Sequence, residues 1–461
     1  MSLSIVTINA NVLQAPQPIT LQEMGAFISQ GGTNLAAGTY ALLQTSASLT
    51  PLLSSPLTLN GLTWSGGTAV ATTQAVIPGL VSGDTFITTV AGATPSGYNG
   101  TYLCTVTGTS TFSFALATNP GAETVPGTYT PPGQGELVAM NTTYWGQGTT
   151  QAVYVLELGP NDGSTGPQAL QAWITANPTF FYKYLTPRNW DATTGLLALI
   201  AAYEAPNAFT YFDVTTTVAN YGTYPTVKNL MLLIESPNLP LTEFSLAAEF
   251  QTTLNYAPSA SNRQTQLCFN FMNGVTQYPT IGNNALLATL KTANVNYMAP
   301  AAEGGLTNTM LVWGNVMSGV DFSWWYAADW IQLNADQTAA NIVINGSQPG
   351  NPNPLYFNQN GIDQLQDGIV SLVASAIAFG LGAGSVTRAA LSPTAFQAAL
   401  NAGTYSGQCV VQAIPFSQYI ALNPNDYAVG RYSGITIVFI PQNGFKAIVF
   451  NVTITNLISS L

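Results

Sequence analysis

The sequence predicts an α/β (α+β) chain: a core with a mixed sheet and flanking helices, a small inserted all-β module, and extended β arms at both ends. Three observations lead to this class. Strand-like and helix-like runs alternate from about Gly135 onwards, Thr-rich runs separated by glycine turns fill residues 57–132, and both ends show the two-residue alternation of a strand. Alternating helices and strands favour units in which a helix connects two parallel strands. A single strand at a chain end, by contrast, needs a sheet elsewhere with which to pair.

Composition restricts the possible partners and chemistry. The 461 residues are 47% hydrophobic and 6% charged, with eight Lys and Arg and a formal net charge of −11. This apolar content supports sizeable cores, but the few basic residues cannot form the positive surface that nucleic acid needs. Because the chain has no histidine, imidazole-based triads and most zinc or copper sites are excluded.

The cysteines and apolar runs bear on location. Cys104, Cys268 and Cys409 form no close pair, which favours a reducing compartment over a disulfide framework. The first residues lack the pattern of a signal peptide. The longest apolar stretch begins at Ile369 and is shorter than the roughly 20 residues that a membrane span needs. We therefore expect a soluble cytoplasmic protein with no membrane partner.

Residues 1–20 are predicted to be an N-terminal β arm and linker. Alternate positions form one face of a strand: Ser4, Val6, Ile8, Ala10 and Val12. The prolines of "QAPQP" end this strand, because proline lacks the N–H that a sheet ladder requires. Residues 21–56 are expected to begin the core domain.

Residues 57–132 are predicted to form a self-contained all-β module. Runs such as "TYLCTVTG" and "TFSFALA" are separated by turns such as "SGD" and "TPSGYNG". Short strands at this spacing are typical of a small sandwich or barrel. The period changes after the module, so we interpret it as an insertion into the core domain.

Residues 133–308 are predicted to be the α/β core domain. "AVYVLELG" is typical of a buried strand, "GPQALQAWITAN" of a helix and "NLMLLIES" of a further buried strand. Strands that alternate with helices indicate a parallel or mixed sheet whose faces are both covered.

Residues 309–442 are predicted to be a helical C-terminal domain. A first helix begins after the N-cap Asp321, with an apolar stripe at Trp324, Ala328, Ile331, Ala335, Ala339 and Ile342. A second helix has its stripe at Ile362, Leu365, Ile369, Leu372 and Ala376. Glycines, the first of them Gly380, end the second helix, and Ser392 caps a third.

Trp324 and Trp325 are candidates for a contact between subunits. Neighbouring helical residues point about 100° apart, so both rings cannot face one core. A large aromatic side chain left outside the core is a typical interface anchor. Packing within the core of the same chain is an equal alternative.

Residues 443–461 are a predicted C-terminal β arm, which follows an earlier strand-like run as the second half of a hairpin. The first run presents Ile435, Ile437 and Phe439, and the last presents Ile448, Phe450, Val452 and Ile454 on one face. A bare apolar strand edge promotes aggregation, so the body or another chain must cover the hairpin. With the N-terminal alternate positions and the two tryptophans, these are the predicted inter-subunit residues.

The acidic pairs do not make a convincing catalytic site. Asp363 and Asp367 lie in the first turns of a helix, where acidic side chains usually complement the helix dipole. Asp321 and Asp329 flank "FSWWYAA" and suggest a glycosidase site, but their helical surroundings favour a core or a subunit contact. We expect no enzyme, no cofactor and no metal.

Three segments resemble the tail sheath proteins of contractile-tailed bacteriophages of the myovirus type. They are "LVWGNVMSGVDFSWWYAADWIQLNADQTAANIVI", "LYFNQNGIDQLQDGIVSLVASAIAFG" and "GITIVFIPQNGFKAIVFNVTI". In that family a strand-loop-helix unit ends in an "xDW" pattern, and a helix with a "T/N-x-x-G-I-x-x-L" pattern follows it. The corresponding residues here are Asp329 and Trp330, then Asn358, Gly361, Ile362 and Leu365.

The resemblance implies a structural protein of the virion, assembled in the cytoplasm of a bacterial host. Copies would stack as a homo-oligomer of rings around a tail tube, with the arms of one copy joining the sheets of its neighbours. Further implied partners are the tail tube protein, the baseplate and the tail terminator. Contraction would drive the tube through the host envelope for genome ejection. The insertion resembles an immunoglobulin-like (Ig-like) sandwich of phage tail proteins.

Other functions stay open on the sequence alone. A secreted or surface-layer β-rich adhesin is equally compatible with low charge and Thr/Asn richness, although the α/β core and the missing signal peptide oppose it. A capsid or baseplate subunit is a further possibility within the same virion. An enzyme that uses carboxylates alone is the weakest alternative.

Overall fold

The computed structural model describes residues 20–205, 208–254, 257–300, 307–351 and 354–446. The strands in these ranges are β1 (Gly25–Ser29), β2 (Tyr40–Leu43), β3 (Leu57–Ser65), β4 (Thr68–Thr73), β5 (Thr85–Ala91), β6 (Gly100–Gly108), β7 (Thr111–Ala115), β8 (Thr128–Tyr129), β9 (Val153–Glu157), β10 (Lys183–Leu185), β11 (Tyr211–Thr216), β12 (Leu230–Ile234), β13 (Asn296–Pro300), β14 (Thr309–Val312), β15 (Val386–Ala389), β16 (Cys409–Ala413) and β17 (Ile435–Val438). The α-helices are α1 (Gln134–Gly146), α2 (Thr165–Ala176), α3 (Thr194–Ala202), α4 (Leu246–Leu254), α5 (Asn284–Thr292), α6 (Phe322–Gly346), α7 (Gln359–Ala378), α8 (Pro393–Asn401), α9 (Phe416–Leu422) and α10 (Pro424–Ala428).

The core sheet has eight strands in the spatial order β14-β13-β12-β11-β10-β1-β9-β2. The six inner strands are parallel to one another, whereas β2 and β14 pair antiparallel at the two edges. Parallel neighbours need a crossover, and α2 and α3 supply it before β10 and β11. The mixed α/β core that the alternation predicts is confirmed.

Helices cover both faces of the core sheet, and this explains why its central strands are apolar throughout. Every residue of β1 and β12 is buried. Side chains alternate between the faces, so Phe27 packs with α1, α4 and α6, while Ala26 and Ile28 pack with α2, α3 and α5.

The inserted module is a closed barrel of six strands in the order β3-β4-β7-β6-β5-β8. The two-residue strand β8 closes it, because Tyr129 pairs with Leu57 of β3 and with Val90 of β5. Phe112, Phe114 and other buried side chains fill its interior. The Ig-like sandwich is not confirmed: the strands form one closed ladder, and a sandwich would have two separate facing sheets.

A second, smaller sheet lies in the C-terminal region, in the order β15-β16-β17. β15 and β16 are parallel, and β16 and β17 are antiparallel. Helix α7 packs on this sheet through the buried Gln366, whose side-chain amide donates to the carbonyl oxygens of Ala389 (2.7 Å) and Val411 (2.8 Å). These bonds join the helix to both β15 and β16.

Two expectations about this region need correction. Residues 309–312, which the sequence analysis places in the helical C-terminal domain, form β14 at the edge of the core sheet, because the chain turns back after β13 and pairs with it. In α6, Trp324 and Ala328 are only half-buried, whereas Phe322 and Tyr326 are buried against the core sheet. The predicted stripe is confirmed at Ile331 and Ala335, whereas Phe322 and Tyr326 take the buried positions in the first turns.

The helix ends follow the predicted signals. Asp321 and Ser392 accept hydrogen bonds from the main-chain N–H of Ser323 (2.9 Å) and Ala395 (3.2 Å). Gly380, with φ +77°, follows the end of α7 in the left-handed conformation that glycine tolerates. Ile362, Ile369 and Ala376 are buried on α7 as expected.

Within the described ranges, none of the helices combines the length and the apolar character that crossing a membrane demands.

Candidate functional site

The aspartates of the two acidic pairs are bound by other groups of their own chain. Asp363 and Asp367 both bind Arg388 of β15, each at 2.6 Å, so they join α7 to the small sheet. Asp321 caps α6 through its side chain. Among the described residues, no three His, Cys, Asp or Glu side chains converge as a metal site.

Asp329 is completely buried beneath the core sheet. Its Oδ2 accepts hydrogen bonds from the hydroxyls of Tyr182 (2.9 Å) and Tyr211 (2.8 Å). Burial raises the pKa of Asp329 to about 6, although the charge of Lys228 opposes the shift. These two hydrogen bonds join α6 to Tyr182, directly before β10, and to Tyr211 of β11.

A second buried polar group centres on Lys183. Its ammonium lies 2.8 Å from Asp213 and 3.1 Å from Glu249, and it donates to the hydroxyl of Thr253 at 2.8 Å. Burial, followed by the charge of Asp213, raises the pKa of Glu249 well above its usual range. The ammonium of Lys183 thus lies between two carboxyl groups and a hydroxyl of its own chain.

Sequence reasoning missed the Lys183 cluster because its members come from β10, β11 and α4. The available signal was a lysine inside the otherwise apolar run "FFYKYL". A charge in such a strand requires a buried partner, but the pattern does not say which one.

The place where parallel sheets usually bind ligands is occupied by the chain itself. Such sites lie beyond the carboxyl ends of the strands, here β1 and β9. The carboxylate of Glu157 accepts five hydrogen bonds there, at 2.7 to 3.0 Å, from Ser29, Gly31, Thr33 (two) and Gly159. The N–H and hydroxyl groups that could bind an anionic ligand at this position are therefore already bonded to a carboxylate of the same chain.

A cavity of about 300 Å³ adjoins Glu157, between the core sheet and the barrel. Gln30, Ser54 and Pro131 are among its lining residues, and Glu157 is the one charged side chain in the lining. Because that carboxylate is already saturated, the cavity offers no free charged group to a ligand.

The open edge of the small sheet is the strongest candidate for a functional surface. β17 pairs with β16 on one side, and no described strand pairs with it on the other. β15 is the opposite edge, but it carries the ion-paired Arg388, and a charge on an edge strand discourages pairing. β17 itself carries no charged side chain.

The register shows which groups of β17 face outward. The N–H of Ile414 donates to the carbonyl of Gly434 at 3.0 Å, and residues 410–413 pair with residues 438–435. Hydrogen-bonded and non-hydrogen-bonded pairs alternate along an antiparallel ladder. Thr436 and Val438 therefore bond to β16, and the main-chain groups of Ile435 and Ile437 point to the open side.

The predicted inter-subunit residues Ile435, Ile437 and Phe439 are partly buried against the core of their own chain, and β17 pairs with β16. A contact of these side chains with a neighbouring subunit stays a prediction. The outer main-chain edge of β17 has no partner among the described strands.

The tryptophans also contact their own chain. Trp325 is half-buried, its ring N–H donates to the hydroxyl of Ser318 at 3.1 Å, and the ammonium of Lys228 lies 5.1 Å from its ring. Trp324 packs edge-to-face on Trp325, with ring centres 4.7 Å apart. An interface role for both stays a prediction.

The other predicted contact residues lie outside the described ranges. They are Ser4, Val6, Ile8, Ala10 and Val12 near the start, and Ile448, Phe450, Val452 and Ile454 near the end.

Comparison with known proteins gives likenesses at the level of structure. No protein-family model matches the sequence, and no curated protein matches it. The solved structure of a sheath tail protein from Listeria innocua matches with a TM-score of 0.40 and 8% identity, over 78% of this chain and 85% of that one. A sheath tail protein from Desulfitobacterium hafniense matches with a TM-score of 0.40 and 10% identity, over 82% and 90%. At such identities neither protein assigns a role to a residue of this chain.

Proposed function

We propose that the chain is the structural subunit of a contractile phage tail sheath. In this role it polymerises around the tail tube by adding strands to the sheets of neighbouring copies. The proposal rests on two features that occur together: an open strand edge that can accept a further strand, and chain ends with the sequence pattern of strands that can be donated. The outward main-chain groups of β17 have no partner among the described strands, and the sequences of both chain ends alternate like strands.

The donor segment is long enough to reach a neighbour. Residues 447–461 would span about 50 Å if extended, at roughly 3.3 Å per residue. An added strand binds through its main chain, and alternate side chains such as Ile448 and Phe450 give it specificity. The prolines of "QAPQP" separate the N-terminal donor from the body, so the link can persist while the bodies move.

The composition is compatible with dense packing of copies. With only 6% charged residues, adjoining subunits desolvate and repel few charges. A surface-layer adhesin would also account for the low charge, but no observation favours it over the sheath subunit.

The proposal extends to the assembled tail. Stacked rings of this homo-oligomer would surround the tail tube protein and end at the baseplate and the tail terminator. The arms would hold the rings together during contraction, as the tube is driven through the envelope. The site of assembly would be the host cytoplasm.

Residue-resolved hydrogen exchange tests the acceptor edge directly. In the free subunit the amides of Ile435 and Ile437 should exchange fast, and those of Thr436 and Val438 slowly. Assembly should protect the first pair strongly and change the second little, because only the outward groups gain a partner. The barrel amides serve as an internal control. Protection that appears at β2 or β15 but not at β17 would show that the acceptor is wrong.

Electron microscopy of the purified chain tests the donor. The full chain should form tubes, and a variant without residues 1–12 should stay a folded monomer. The matched control keeps those twelve residues in a shuffled order without alternation, and it should also fail. Tubes from the truncated chain would contradict strand donation by the N-terminal arm.

A further inference from the structure

A polar socket of three residues holds the ammonium of Lys446, the last described residue. The ammonium lies 2.9 Å from the carbonyl oxygen of Trp313, bonds to Oδ1 of Asn315, and lies 3.5 Å from Oδ2 of Asp321. Two N–H donors of the ammonium thus have hydrogen-bond acceptors, and the carboxylate of Asp321 adds charge attraction. Two acceptors and an opposite charge suit the head group of a lysine.

The buried carboxylate of Asp321 depends on this ammonium. Its side chain is 4% exposed. Oδ1 accepts from the N–H of Ser323 (2.9 Å) and of Leu267 (3.3 Å), whereas Oδ2 has no hydrogen bond from a described residue. The nearby cation Lys291 lies over the ring of Trp313, 4.2 Å from its centre. Without Lys446, a buried charge would lose its partner.

The residues before Lys446 are attached to the body as well. The N–H of Gln442 donates to the carbonyl of Leu381 at 2.8 Å, and the side chain of Gln266 donates to the carbonyl of Phe445 at 2.7 Å. A Cβ on Gly444 would come within 2.2 Å of the Gln266 side chain, so this approach favours glycine. The segment 442–446 is thus held at three places.

The beginning of the described chain attaches to the same helix. Gln22 is buried, and its side-chain amide donates to the carbonyl of Tyr326 at 2.9 Å. Asp321 and Tyr326 are five residues apart, about 7.5 Å along the axis of α6. Both ends of the described chain are therefore bound to the first two turns of one helix.

We propose that the socket of Trp313, Asn315 and Asp321 positions the C-terminal arm, with Lys446 as its positioning residue. The inference rests on the proposed sheath function, since it assumes that residues 447–461 are donated to a neighbour. The socket determines where the arm leaves the body. Because Gln22 binds the same helix, α6 also determines the separation between the starting points of the two arms.

Two substitutions test the socket in the full chain. Lys446→Met removes the ammonium and keeps an unbranched apolar stem. Asp321→Asn removes the carboxylate charge but keeps a side chain that caps a helix equally well. Arg431→Gln is the matched control: it also removes one positive charge, from an exposed arginine that pairs with Asp426 outside the socket.

Hydrogen exchange of residues 442–446 in the unassembled protein is the first measurement. Each test variant should speed this exchange by about tenfold or more, and the double variant no further, because the two changes break one interaction. The control should leave the exchange unchanged. If neither test variant changes it, the socket does not hold the segment. If Lys446→Met does not fold, Asp321→Asn gives the same measurement.

Tube formation is the second measurement. It distinguishes whether the socket only holds Lys446 or also positions the C-terminal arm for assembly. Fewer or shorter tubes from both test variants, with normal tubes from the control, would support positioning of the arm. Faster exchange with normal tubes would overturn the positioning role, although the socket exists. If the wild-type chain forms no tubes, the sheath proposal fails, whereas the exchange result still decides whether the socket holds Lys446.

Discussion

The barrel and the C-terminal sheet are both small β structures of this chain, and they treat their edges in opposite ways. In the barrel, β8 pairs with β3 and β5, so every strand has two neighbours. In the C-terminal sheet, β17 has β16 on one side and no described strand on the other. Closure removes an edge, and an open edge can accept a strand.

The two structures also differ in how they are stabilised. The barrel has its own apolar interior, in which the ring centre of Phe112 lies 5.3 Å from that of Phe86 and 5.3 Å from that of Tyr129. The C-terminal sheet relies on α7 on one face and on a small cluster with Phe396 on the other. The comparison teaches that the barrel is complete by itself, whereas the C-terminal sheet has room for another strand.

The largest expected effect contrasts removal of the arm with removal of the barrel. Deleting residues 447–461 should abolish tube formation. Replacing residues 58–128 by a short Gly-Ser linker should leave it intact, because Leu57 and Tyr129 are directly paired and the cut ends lie side by side. Electron microscopy of both variants measures this difference. Loss of tubes from the folded barrel-less chain would show that the barrel takes part in assembly.

The next effect compares the loss of stability caused by a substitution in the barrel interior with that caused by one in the C-terminal sheet. Phe112→Ala should destabilise the barrel by about 3–5 kcal/mol, because it leaves a cavity at a side chain that is 0% exposed. Ile437→Ala, at a half-buried edge position, should cost only about 1–2 kcal/mol in the free subunit. Denaturant unfolding, followed by exchange in each region, measures both values. Equal costs would contradict the contrast between a complete core and an incomplete one.

A smaller effect concerns α6, which leads from the core sheet towards the C-terminal sheet. The folded pKa of Asp329, about 6, lies above its ordinary 3.8, so the protonated form stabilises the fold. This contribution is fully present below about pH 4 and is lost as the pH rises through 6, a change of about 3 kcal/mol.

The Asp329→Asn variant should lack this pH dependence. The difference in Tm between wild type and variant, measured from pH 4 to pH 8, isolates it, because all other groups titrate in both proteins. The wild type should lose stability relative to the variant as the pH rises. A difference that stays constant with pH would contradict the raised pKa of Asp329.

Local patterns allowed much of the secondary structure to be predicted. Buried-strand runs placed strands at Val153–Glu157 and at Leu230–Ile234, and capping residues placed the starts of α6 and α8. The stripe of α6 was correct at Ile331 and Ala335 and wrong at Trp324, because tryptophan is amphipathic and also packs at half-buried positions. The candidate edge was predicted only as a hairpin, since alternation does not identify the partner strand.

The sequence by itself determined the α/β class, the strand-like chain ends and the absence of histidine chemistry, because these depend on composition and on periods of a few residues. The tertiary structure decided that the module closes into a barrel, that β14 joins the core sheet and that β17 pairs with β16. It also decided that Lys446 lies beside Asp321, which is 125 residues earlier in the chain. Such pairings depend on which distant segments meet, and no local period encodes that choice.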